Sequence, residues 1–265
     1  MHADQLTYAR LYDQLLAYEG GALFGEVLRP WLAANDAERR WLETIARRPG
    51  RPIPPMAVEE SWRLYALSRI IQLLQLSFAP PVAHPAWKIA PVSAEEYAAF
   101  LDGLGLQRVE RDDFHPFHHE IVSVQPAVDD DDPPRVERIY WPGCMLGPLL
   151  ISRAGCAIVA GRARVDPVRA ARSTLYWAFA RNHRPTTDLS AGWGSNSQWR
   201  TAFRRDYALD GALHYNAGAA RHQPDADPGL GAAERDELLR HRCFITGTQR
   251  DDDRWPYDYT LTESA

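Results

Sequence analysis

The chain has 265 residues, 45% hydrophobic and 25% charged, and a formal net charge of −5. That length buries a full core, and the negative balance argues against general binding to nucleic acid or to an anionic membrane, both of which want a positive surface. The charge is uneven, however: residues 129–132 are all aspartate, whereas nine arginines fall from Arg162 to Arg205, which leaves room for a small anionic ligand. The three cysteines, Cys144, Cys156 and Cys243, form no Cys-x-x-Cys pair, which predicts a reducing compartment without a disulfide framework. Residues 1–5 lack the basic and apolar regions of a signal peptide. The apolar run at 64–78 is interrupted by Ser68, Arg69, Gln72 and Gln75, so it is too short and polar to span a bilayer. A cytoplasmic protein is expected.

Residues 4–105 read as helix. Leu6, Ala9, Leu11, Leu15, Leu16 and Tyr18 approximate the three-to-four spacing of one helix face, and Gly20-Gly21 supplies a stop. A second helix is predicted over 22–33. Asn35 with Glu38 has the capping-box spacing for a third, whose apolar face is Trp41, Leu42 and Ile45. A proline-rich break at 49–55 follows. Residues 58–78 are apolar nearly all round, which predicts a helix buried on most sides. Ser93 with Glu96 opens a short helix that stops at Gly103-Leu104-Gly105.

From His118 the texture becomes strand-like. Strands are predicted over 118–125 and 136–141, the latter stopped by Pro142-Gly143. Segments 149–152 and 156–160 flank Arg153-Ala154-Gly155 as a hairpin. Further strands are expected over 173–179, 199–207 (which could equally be helical), 212–215 and 257–261, with one helix over 231–242. No repeat or long linker divides the chain. The expectation is one α+β domain over 1–265: a helical layer, 1–105, packed on an antiparallel sheet, sandwich or barrel, 106–265, which carries the site.

The densest chemistry is in Asp113-Phe114-His115-Pro116-Phe117-His118-His119-Glu120, which holds three of the nine histidines. Side chains alternate along a strand, so His118 and Glu120 are expected to face one way and His119 the other. His-x-Glu with a distant histidine is the ligand set of the two-histidine, one-carboxylate triad, which holds Fe(II) and leaves positions open for substrate and oxygen. His214 is the predicted third ligand and His183 its rival. The pattern resembles the His-x-Asp/Glu…His motif of double-stranded β-helix oxygenases. That resemblance rests on three residues and implies a mononuclear non-haem iron oxygenase. The arginine that holds 2-oxoglutarate in some members of that group has only Arg221 as a counterpart. His115 and His119 are then the candidate proton-transfer residues.

Two other chemistries compete. Zn²⁺ accepts His115, His118 and either His119 or Glu120 in a tetrahedral hydrolase site, although Pro116 excludes a helical zinc motif. A histidine with Glu120 also makes a metal-free acid–base pair. The plain structural reading is an aromatic and histidine packing knot.

The second distinctive stretch is 188–200. Trp193 and Trp199 bracket Ser195, Asn196, Ser197 and Gln198, a surface for a flat or polyhydroxylated ligand or for a protein partner. Arg200 and Arg204 are placed to clamp a carboxylate or phosphate. The sequence thus predicts a metal-dependent enzyme acting on a small polar or anionic substrate. The runner-up is a non-catalytic binding protein that uses Trp193, Trp199 and the neighbouring arginines.

Overall fold

The computed structural model describes residues 3–50, 52–80, 89–109, 111–170, 199, 201–218, 230–247 and 259–265. Helices fill the first part: α1 (Ala3–Ala17), a π-helical turn (Phe24–Leu28) that runs into α2 (Arg29–Ala34), α3 (Asp36–Ala46), α4 (Val58–Gln75) and α5 (Ala94–Gly103). The cap at Ser93 forms as expected: its hydroxyl accepts from the Glu96 amide at 3.2 Å, and the Glu96 carboxylate accepts from the Ser93 amide at 2.9 Å. Asn35 behaves differently. It stands before α3, but its side chain reaches back to donate to the Trp31 carbonyl at 2.8 Å. Glu38 is then free to accept from Arg63 of α4 at 3.1 and 2.5 Å, a buried bridge that ties two helices together.

The β part is organised by one long bent hairpin. Its arms are β3 (Arg135–Trp141) continuing through Pro142 into β4 (Gly143–Leu146), and β5 (Leu149–Ser152) continuing through Arg153 into β6 (Ala154–Ala160). The arms turn at Gly147, whose φ of +56° suits glycine. Strands β4 and β5 pair with each other, as do β3 and β6, but in different sheets. Segments 149–152 and 156–160 therefore do not form a hairpin with each other. They are two lengths of one arm, because Arg153 supplies a bend and no reversal.

Close approach at the bend explains its glycines. A Cβ on Gly143 would stand 2.7 Å from the Ala154 nitrogen and 2.9 Å from the Ser152 oxygen. One on Gly155 would overlap the indole of Trp141, whose Nε1 donates to the Arg153 carbonyl at 3.1 Å. Gly143 and Gly155 thus let the two arms cross at the elbow.

The larger sheet has the order β1-β4-β5-β7-β8-β9, with β1 (Gln107–Val109), β7 (Asp206–Leu209), β8 (Ala212–Tyr215) and β9 (Leu261–Ser264), and it is antiparallel throughout. The smaller sheet, β2-β6-β3, is mixed: β2 (His119–Pro126) runs parallel to β6. The predicted strand 199–207 begins only at Asp206, the last strand lies later than expected, and segment 173–179 falls outside the described residues. Two further helices are seen among the described residues, α6 (Pro167–Ala170) and α7 (Ala232–His241).

Packing follows strand alternation. Cys144, Leu146, Leu149, Ile151 and Tyr207 join the core of the N-terminal helices on one face of the larger sheet. Leu150, Leu213 and Tyr215 pack on the other face with Phe117 and with Leu239 of α7. The smaller sheet buries Ile121, Cys156 and Ile158 against Ala170, Cys243 and Ile245, and sets Val122 and Trp141 against Leu76 and Phe78 at the end of α4. The fold is α+β with a helical N-terminal half packed on a sheet, and it shows no closed barrel among the described residues. No described helix is long and apolar enough to cross a membrane.

Candidate functional site at the junction of the two sheets

The histidine segment folds as one tight turn. The His115 carbonyl accepts from the amides of His118 at 3.0 Å and His119 at 2.9 Å, and Pro116 sits where the turn requires no amide donor. Strand β2 starts at His119, in register with Ala154 of β6, and the Ala154 amide donates to the His118 carbonyl at 2.8 Å. His118 and Arg153 are consequently neighbours at the mouth of the parallel pair.

Backbone groups meet two of the imidazoles and set the tautomer of one. His115 Nδ1 accepts from the Phe117 amide at 3.1 Å, which leaves its ring proton on Nε2, whereas His119 Nδ1 lies between the His115 amide at 3.1 Å and the His115 carbonyl at 3.2 Å and can pair with either. Phe114 stacks on His119 and on His241, with centroids 5.8 and 6.4 Å apart. Phe117 stands edge-on to both His118 and Tyr215.

Beside this turn lies a buried cationic centre. Asp206 Oδ1 accepts from Arg204 Nε at 2.8 Å and from the Asn216 amide at 2.7 Å, while Oδ2 accepts from Arg242 Nη2 at 3.1 Å. Arg204 also donates to the Leu239 carbonyl at the end of α7. Arg153 is only 2% exposed and approaches Asp206 Oδ2 at 3.7 Å, an ion pair beyond hydrogen-bond length. Its Nε, Nη1 and Nη2 have no hydrogen-bond partner among the described residues. Three guanidinium groups therefore share one carboxylate. On the far side, Tyr215 donates to Glu263 Oε1 at 2.6 Å and Arg240 donates to Oε2 at 2.8 Å.

The electrostatics follow from burial and sign. Burial alone would raise the Asp206 carboxyl, but Arg204, Arg242 and Arg153 outweigh it and hold the group well below the usual carboxylate range. Burial, then the charge of Arg111, lowers His118 to about 4. Burial and Arg153 lower His241 to about 3. The imidazoles at this corner are thus neutral near pH 7, and its positive charge resides in the arginines.

The expected iron triad is not brought together. His118 lies in the turn before β2, so the alternation expected to align it with Glu120 begins one residue later. His214 pairs across from Tyr207, whose side chain joins the helical core, whereas its neighbours Leu213 and Tyr215 face the histidine turn. It thus lies on the opposite face of the sheet, with Nδ1 3.1 Å from the Thr262 hydroxyl. Among the described residues no three His, Cys, Asp or Glu side chains are grouped to hold a metal ion. His183, Arg221, Trp193, Ser195, Asn196, Gln198 and Arg200 lie outside the described residues. Trp199 packs edge-on against Tyr12 in the helical layer.

Arg204 does sit in the centre, where it holds Asp206. Arg153, Asp206, Arg242 and His241 were missed by sequence reasoning. One signal was present: Arg153 is the only charge within residues 149–160. A scan against protein-family models found no match, and searches of curated proteins and of solved structures found none either.

Proposed function

We propose that the protein binds a small anionic ligand, carboxylate- or phosphate-bearing, at the junction of its sheets, with Arg153 as the anchor. One observation carries this reading: a fully buried guanidinium whose three nitrogens have no hydrogen-bond partner among the described residues. A buried guanidinium left without hydrogen bonds is costly even beside a shared carboxylate at 3.7 Å, and a two-oxygen anion is the partner whose geometry suits its fork. The excess of arginines over Asp206 supports the same sign of ligand. This reading moves the ligand-binding alternative from the 193–200 loop to the sheet junction.

The iron- or zinc-dependent reading keeps one supporting feature, the buried Nδ1 of His118 and Nε2 of His119, both without a hydrogen-bond partner among the described residues. Against it stands the field of Arg111 and Arg153, which already opposes a positive charge on His118. Such a site would need further donors, with His183 the candidate named from the sequence. Metal analysis of untagged protein after Fe(II) and Zn(II) supplementation separates the two, a stoichiometric metal favouring the enzyme.

The anion reading is tested by calorimetric titration with acetate and with inorganic phosphate at fixed ionic strength. Saturable binding of at least one, with Kd near or below about 1 mM, is expected. It should weaken at least tenfold in Arg153→Met and less in Arg153→Lys, with circular dichroism reporting the fold. Failure of both anions to bind the wild-type protein overturns the proposal.

A further inference from the structure

Arg153 is not the only orphan at the elbow. His118 is 9% exposed, stands just before the first rung of β2 and β6 as Arg153 does on the other strand, with its carbonyl bonded to the Ala154 amide, and has a buried Nδ1 without a hydrogen-bond partner among the described residues. Its ring is enclosed by Phe117 edge-on at 4.9 Å and by His115 at 5.9 Å, and neither supplies a donor to Nδ1. A neutral imidazole intrinsically favours the tautomer with its proton on Nε2, the form that the Phe117 amide imposes on the neighbouring His115. Nδ1 of His118 is then a bare acceptor. Buried polar atoms in folded proteins nearly always find a partner, so an acceptor left near a guanidinium without hydrogen bonds calls for a ligand that satisfies both.

Resting on the anion reading above, we infer that the ligand carries a hydrogen-bond donor adjacent to its anionic oxygens, as a 2-hydroxycarboxylate or a hydrogen phosphate does, and that His118 Nδ1 accepts from that donor. Arg153 holds the anionic oxygens and His118 reads the hydroxyl beside them. A plain carboxylate or sulfate has the charge but leaves Nδ1 unpaired, and a site built around a ligand hydroxyl discriminates against an analogue that lacks one.

Two matched pairs of probes test this at pH 7 and constant ionic strength: glycolate against acetate, and phosphate against sulfate. Glycolate should bind about tenfold more tightly than acetate if the source is a hydroxycarboxylate, or phosphate about tenfold more tightly than sulfate if it is a phosphate. Two variants then locate the acceptor. His118→Asn puts an amide near the Nδ1 position and should keep the preference, whereas His118→Gln puts it near Nε2 and should remove it while acetate or sulfate binding changes less than about twofold. Equal affinity within both pairs overturns the inference and leaves the anion site standing, as does a preference that survives in His118→Gln. Absence of binding by all four probes overturns the anion reading itself, and this inference with it.

Discussion

Asp206 and Arg153 face each other at 3.7 Å with almost no solvent at either side chain, yet every close hydrogen bond of the carboxylate goes to Arg204, Arg242 or the Asn216 amide. The carboxylate is saturated and the guanidinium is not. That asymmetry separates the structural role of the acid from the ligand anchor that we propose for the base.

Asp206 is therefore the member whose loss damages the fold. Asp206→Asn leaves the buried Arg153 and the partly buried Arg204 and Arg242 without their counter-charge, and removing one partner of a buried charged set costs about 3–5 kcal/mol. Urea unfolding followed by circular dichroism should show a loss of that size. A change below about 1 kcal/mol would contradict the central place given to this carboxylate.

The neutral histidines predict acid sensitivity. Burial lowers His118 and His241 in the folded state, whereas in the unfolded chain both titrate near 6.5. Below about pH 6.5 the unfolded state binds more protons than the folded one, so stability present above that pH is lost progressively toward about pH 4. Asp206, also lowered, extends the loss below the ordinary carboxylate pKa near 4. Urea midpoints measured from pH 7 to pH 4 should fall, and a flat profile between 6.5 and 4 would refute the assignment.

The elbow has no room for an extra methyl group. Gly155→Ala forces a Cβ into the Trp141 indole, and overpacking of this kind costs about 1–3 kcal/mol. Gly21→Ala is the control, for nothing lies within 4 Å of its added Cβ and its φ is not in the left-handed region. The elbow variant should also perturb the anion titration, and the control should not.

Glu237 anchors the segment that follows α7, accepting from the Ile245 and Thr246 amides at 2.6 and 2.7 Å and from the Thr246 hydroxyl at 2.6 Å. Glu237→Ala strands buried donors next to the residues that bring Arg242 to Asp206. A loss of about 1.5–3 kcal/mol is expected. Hydrogen exchange should rise first at the Ile245 and Thr246 amides.

Local signals carried much of the fold. The Ser93 cap, the all-round apolar run of α4 and the short strand Ala212–Tyr215 all depend on near neighbours, and each appears where its residues predicted. What depended on distant contact was not legible. Asn35 and Glu38 have capping-box spacing, but Arg63 on another helix captured the glutamate. Arg153 looked like a turn residue because nothing nearby indicates that Asp206, far along the chain, would join it in a corner. The histidine turn was found in the sequence, but its partners were not: strand phase puts Tyr215 toward it and His214 away, a fact that only the pairing with Tyr207 reveals.

The bent hairpin also has a kinetic consequence. Its arms are joined through a tight turn, so β3 to β6 can zip from local contacts and template both sheets before distant segments arrive. Strands β7 to β9 and helix α7 must then close long loops to reach it, and they bring Asp206, Arg204 and Arg242 with them. The expected order is a nascent elbow holding a solvated Arg153, sealed last by the C-terminal elements. Refolding in the presence of a bound anion should accordingly leave the early phase unchanged and slow unfolding of the finished chain.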